Sequence, residues 1–103
     1  MILSQEIVLK VLRDFGLTEN ESKVYIFLAK NGLLKARKIS KSLRMHKAQV
    51  YHILRNLQRR GLVESTLEFP ARFTSIPFEK LEDLIIRVKR EEADSLENRK
   101  SDI

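Results

Sequence analysis

Residues 36–61 read ARKISKSLRMHKAQVYHILRNLQRRG. Ala36, Ile39, Ser40 and Leu43 recur at i, i+3, i+4 and i+7, which predicts a short helix with one inner stripe. A second stripe of Val50, Ile53, Leu54 and Leu57 predicts a longer helix from about Lys47 to Arg60, ended by Gly61. About three or four residues, Leu43 to His46, separate the two. A short apolar-faced helix, a tight turn and a longer helix make a helix-turn-helix. The second helix of such a pair packs by one stripe and offers the other to a groove.

The charge pattern centres on the same stretch. From Ser22 to Val63, 42 residues contain no Asp or Glu, eleven Lys or Arg and both histidines. All 14 acids lie outside it, beside nine Lys or Arg, so the middle carries +11 and the two ends together −5. A surface of one sign repels itself and attracts a polyanion, and nucleic acid is the obvious one. A lysine-rich solvated face is the plainer reading of the charge alone, but here the basic stretch coincides with a helix-turn-helix.

Upstream, Leu3, Ile7, Val8, Val11, Leu12 and Phe15 have helical spacing, and Gly16 ends that helix. Thr18-Glu19-Asn20-Glu21 is a capping-box pattern with Thr18 at the N-cap. The helix it opens runs to about Lys30, burying Val24, Phe27 and Leu28, and Asn31-Gly32 stops it. Downstream the period changes. Leu62 to Leu67 and Arg72 to Ile76 are two β-capable runs joined through Pro70, a small hairpin. Ile76 is biased to extended backbone by Pro77, which suits the first turn of a last helix. That helix carries Leu81, Leu84, Ile85 and Val88 on one face, and past Val88 the stripe thins to Ala93, Leu96 and Ile103. The expected fold is mainly α with a small β-hairpin: a winged helix-turn-helix with flanking N- and C-terminal helices. Its expected division is a DNA-binding unit over 1–77 and a C-terminal helix over 78–103.

At 103 residues, 43 % apolar and 33 % charged, the chain is one globular domain with a modest core. Absence of cysteine excludes disulfides and thiolate metal sites. Glu6, Lys10, Arg13 and Asp14 interrupt the N-terminus too often for a signal peptide, and no apolar run approaches membrane-spanning length. These features predict a soluble cytoplasmic protein with no membrane partner.

With Val50 at the centre of the buried stripe, Ala48, His52, Arg55 and Arg59 fall on the opposite side of the long helix, and Gln49 and Tyr51 on its shoulders. Lys47, Gln49, Tyr51, His52 and Arg55 are the leading contacts. Arg reads guanine and Gln can read adenine, whereas Lys more often meets phosphate. Tyr51 has an equal reading as a ring packed on the core edge. Lys35, Arg37, Lys38, Lys41 and Arg44 are expected to form a phosphate-facing rim, although each singly also fits a merely solvated charge, and His46 is a further DNA-binding candidate. The wing carries Glu64 and Glu68, so Arg72 is expected to touch backbone at most. His46 and His52 are six apart, on different helix faces, with no Cys or carboxylate cluster, which argues against a metal site. No cofactor is expected.

LTENESKVYIFLAKNG (17–32), ARKIS (36–40), VYHILRNLQRRGLVES (50–65) and FPARFTSIP (69–77) together resemble the N-terminal DNA-binding domain of TrmB-like archaeal transcription regulators. The resemblance runs from about Leu17 to Leu84. It implies a winged helix, double-stranded DNA as ligand and a dimer built partly by the helix after the wing. Three positions depart from the family pattern: Arg44 for a turn glycine, Lys35 for a Thr or Ser cap, and His46 for a proline. Each adds positive charge. Many relatives carry a long C-terminal sugar-sensing domain. These 103 residues hold none, so the resemblance is carried to DNA binding and not to sugar binding, and an effector is left open.

The face of Leu81, Leu84, Ile85 and Val88 is expected to join two protomers, because a single recognition helix reads few base pairs. The alternative is a monomer whose last helix folds back on its own domain. Charged pairs Asp83–Arg87 and Arg87–Glu91 are expected to support that helix, and its tail from about Leu96 to fray. An enzyme is not expected: there is no phosphate loop, no paired carboxylates and no Cys nucleophile. The rival reading is a winged helix that binds RNA or docks a protein. RNA recognition favours exposed aromatics, and here there is no Trp and most Phe and Tyr fall on core stripes.

Overall fold

The computed structural model describes residues 5–101, apart from the side chains of 85, 88 and 95–101. In order they form α1 (Gln5–Asp14), α2 (Glu19–Asn31), β1 (Leu34–Lys35), α3 (Ala36–Leu43), α4 (Lys47–Arg59), β2 (Val63–Ser65), β3 (Arg72–Ser75) and α5 (Phe78–Ser101). This is a winged helix-turn-helix, mostly helical, with flanking helices as expected. Leu3, the side chains of Ile85 and Val88, and the stripe at Leu96 and Ile103 lie outside what is described.

Local chemistry sets the boundaries. The Thr18 hydroxyl accepts the Glu21 amide at 3.1 Å and the Glu21 carboxylate accepts the Thr18 amide at 2.9 Å, closing the capping box of α2. Gly16 ends α1 at φ +94°, where a Cβ would also meet the Arg60 guanidinium at 3.3 Å. That guanidinium sits 5.5 Å from the Phe15 ring centroid, so Arg60 ties α4 back to α1.

One core joins all the helices. Leu12, Val24, Leu28, Ile39, Val50, Leu54, Leu57, Leu62 and Leu81 are essentially inaccessible. The stripes read from α3 and α4 therefore face inward, and α4 keeps a full outer face free.

Three expectations change. The sheet has three strands, not two: β3 lies between β2 and β1, antiparallel to both, with Leu34 opposite Phe73 and Lys35 opposite Arg72. A two-residue strand is too short for any period to reveal. The first hairpin strand also ends at Ser65, so Leu67 lies beyond it in the loop. Pro77 stands one residue before α5 and accepts the Leu81 amide at 3.2 Å, which makes it the N-cap.

The start of α5 belongs to the domain. Leu81 is buried in its core and so is not free to meet a second protomer, whereas Leu84 packs only partly against the core. The first turns of α5 thus pack on the domain, and the described side chains from Ile86 to Asp94 are exposed. Among the described residues Lys23–Glu19 closes to ion-pair distance, at 3.6 Å, whereas Asp83–Arg87 and Arg87–Glu91 do not. Long exposed side chains gain too little from such pairs to be held in one geometry.

Candidate nucleic-acid interface

The turn between α3 and α4 is held by two bonds. The Met45 amide donates to the Ser40 carbonyl at 3.1 Å, and the Ser40 hydroxyl donates to the Met45 carbonyl at 2.6 Å. Arg44, between them, has φ 54° and ψ 45°, a left-handed backbone that a side chain adopts at a cost of about 1–2 kcal/mol. Among the described residues it is the one non-glycine with positive φ. Its side chain is exposed.

Lys35, Arg37, Lys38, Lys41, His46, Lys47, Ala48, His52, Arg55, Arg59 and Arg72 are exposed as well. Gln49 and Tyr51 are half-buried, as shoulder positions should be. The exposed side of α4 therefore carries the residues assigned to it from helical spacing. Lys35 and His46 stand at the N-caps of α3 and α4, and neither side chain caps its helix. No acid lies in the first turn of either, so their amide ends add to the positive field of this face.

Tyr51 packs edge-on against Phe73, with ring centroids 6.5 Å apart at 78°. The Gln58 amide donates to the Ser65 hydroxyl at 2.9 Å. These two contacts fix the wing to α4. The wing loop is closed by the Thr66 amide on the Arg72 carbonyl at 2.9 Å and the Arg72 amide on the Thr66 hydroxyl at 3.0 Å.

Two features escaped the sequence. Asn56 is a hub on the outer half of α4: its side chain accepts from Arg59 at 2.8 Å and shares a 3.4 Å hydrogen bond with His52. Its spacing of four and three from those residues was the available signal. The wing tip presents Leu67 and Phe69, both fully exposed, in place of basic residues.

A winged helix whose second helix-turn-helix element carries an acid-free, cationic outer face belongs with DNA-binding transcription regulators. The chain is a member of the TrmB family, described as sugar-specific transcriptional regulators, which it matches over residues 12–79. It is 34 % identical over 91 residues to the HTH-type sugar sensing transcriptional regulator TrmBL1 of Pyrococcus furiosus, covering 84 % of this chain and 27 % of that protein. The chain thus spans about a quarter of that relative's length. In fold it is similar to TrmBL2, an archaeal chromatin protein, with a TM-score of 0.80 at 21 % identity over 95 % of this chain and 40 % of that one. It is also similar to the Zα domain of Carassius auratus PKZ, solved in complex with Z-DNA. There the TM-score is 0.53 at 34 % identity, over 54 % of this chain and 90 % of that one. Among the described residues no helix is long and apolar enough to cross a membrane.

Proposed function

We infer that this chain is a sequence-specific, double-stranded DNA-binding transcriptional regulator that works as a homodimer, with α4 as its recognition helix in the major groove. The observation that carries this reading is a coincidence. The acid-free stretch of 42 residues supplies the turn and the whole exposed side of α4. Ala48, Gln49, His52 and Arg55 lie along the part of α4 that would meet base edges, with Arg55 reading guanine. Lys35, Arg37, Lys38, Lys41, Arg44, His46, Lys47, Arg59 and Arg72 form the rim from which about four phosphates per protomer would be held, which fixes register without reading sequence. Tyr51 serves chiefly to hold the wing, through Phe73.

The dimer rests on α5. It runs for 24 residues, about 36 Å, and among its described side chains Leu84 is the last that packs on the core. Beyond that point it exposes Ile86, and a second copy of the same helix is the partner that covers such a rod by two-fold symmetry. No small-molecule effector is assigned to these residues.

Competition among a mixed-sequence duplex, single-stranded DNA, RNA and a Z-form duplex at one salt concentration tests the reading. The Z-form arm is included because the Zα domain is 34 % identical to this chain over the aligned half. Preference for the right-handed duplex supports the function inferred here. Preference for RNA or single strands returns the rival reading.

A further inference from the structure

Lys35 and Arg72 are direct partners across the β1–β3 ladder. Both are exposed, while the neighbouring pair, Leu34 and Phe73, turns toward the core. Alternation along each strand therefore puts the two cations on one solvent face, with their Cβ atoms about 4.5–5.5 Å apart. Like charges directly opposite each other destabilise a ladder. Neither is held by an acid: among the described residues the ion pair within 4 Å is Lys23–Glu19. Lys35 opposes local stability a second way, because it occupies the N-cap of α3 and does not cap it. The residue types at this place thus work against the fold, and the sheet brings together the start of the helix-turn-helix and the root of the wing.

We propose that Lys35 and Arg72 form a clamp on one phosphate of the DNA backbone. A phosphate between them turns their repulsion into a bridge. Arg72 supplies a planar fork of donors and Lys35 a compact point charge. The clamp rests on the duplex-binding reading and deepens it, since it gives the wing a role at its root although its tip is apolar.

The test uses the full chain with Lys35→Gln, Arg72→Gln, the double variant and Arg72→Glu. Duplex affinity is measured against salt, and thermal melting is recorded without DNA. Each single Gln variant is expected to weaken binding about 3- to 10-fold near 0.1 M salt. Because one phosphate is shared, the double variant flattens the log–log salt slope by about one unit per protomer, not two. Arg72→Glu sets opposite charges across the ladder, so it raises the melting temperature by roughly 2–6 °C while weakening binding more than Arg72→Gln does. A residue with a purely structural role does not move melting and affinity in opposite directions. If the wild type shows salt-dependent duplex binding and the Gln variants match it, the clamp is overturned and the function stands. A slope loss of two units in the double variant also overturns the clamp, since the two cations then hold separate phosphates. A wild type that binds no duplex overturns both.

Discussion

The Tyr25 hydroxyl donates to the backbone carbonyl of Ile76 at 3.0 Å, joining α2 to the residue where the wing ends and α5 is about to begin. The bond is buried and joins residues 51 positions apart in the chain. It sets the exit of the wing against the helix that packs on the back of α4.

Burial, and secondarily the Glu79 carboxylate, push the Tyr25 phenol up to about 12 from 10.0. The neutral form is therefore favoured in the folded state. Below pH 10 both states hold the proton and stability does not depend on this group. From pH 10 to 12 only the unfolded chain releases it, so stability falls by roughly 2–3 kcal/mol across that window. Tyr25→Phe is expected to cost about 1–2 kcal/mol at neutral pH, because the Ile76 carbonyl loses its donor, and to show a shallower alkaline decline. Urea unfolding of both proteins from pH 8 to 12 checks this. Parallel declines would contradict it.

Arg44 holds a left-handed backbone that glycine adopts without strain. Arg44→Gly should relieve that strain but make the unfolded chain freer, for a net gain of about 0.5–1 kcal/mol. The same change removes a cation from the DNA face and should flatten the salt slope by about one unit per protomer. Melting and a salt titration of one variant check both signs. Loss of stability would mean that the arginine is there for the fold.

Arg55 and Lys38 separate reading from gripping. Arg55→Ala should cost roughly 1–3 kcal/mol on a cognate duplex and relax its specificity. Lys38→Ala should weaken cognate and random duplexes alike. Binding to a randomised library, sequenced after selection, distinguishes them. Unchanged site preference in Arg55→Ala would mean that α4 is turned differently.

Sedimentation at tens of micromolar is expected to give a dimer, with the two α4 helices about 34–36 Å apart and a palindromic site. Ile86→Glu, at an exposed position of α5, should shift the protein toward monomer. A wild type that sediments as a monomer, with DNA affinity indifferent to Ile86→Glu, would contradict the dimer.

Much of this architecture was legible in the residues because its signals are local. Thr18 and Glu21 specify a cap, Gly16 and Gly32 specify stops, and the stripes at Ile39 and Val50 specify which sides of α3 and α4 face in. What stayed hidden depends on long-range packing. Leu34–Lys35 is a strand only because β3 lies beside it. Leu81 looked like a pairing residue because its stripe continues along α5, yet the domain core claims its first turn. Of the interface, helical spacing correctly gave the exposed side of α4. The Asn56 hub and the opposition of Lys35 to Arg72 need side-chain placement or strand register, which spacing alone does not supply.

The central claim is that the cationic face of α3, the turn and α4 grips a duplex backbone. The affinity for one mixed-sequence duplex, measured from about 50 to 200 mM monovalent salt, tests it most directly. With about four phosphates held per protomer of a dimer, the logarithm of the association constant should fall against the logarithm of salt with a slope of about −7. A slope near zero, or tighter binding to the single strand of the same sequence, would contradict it.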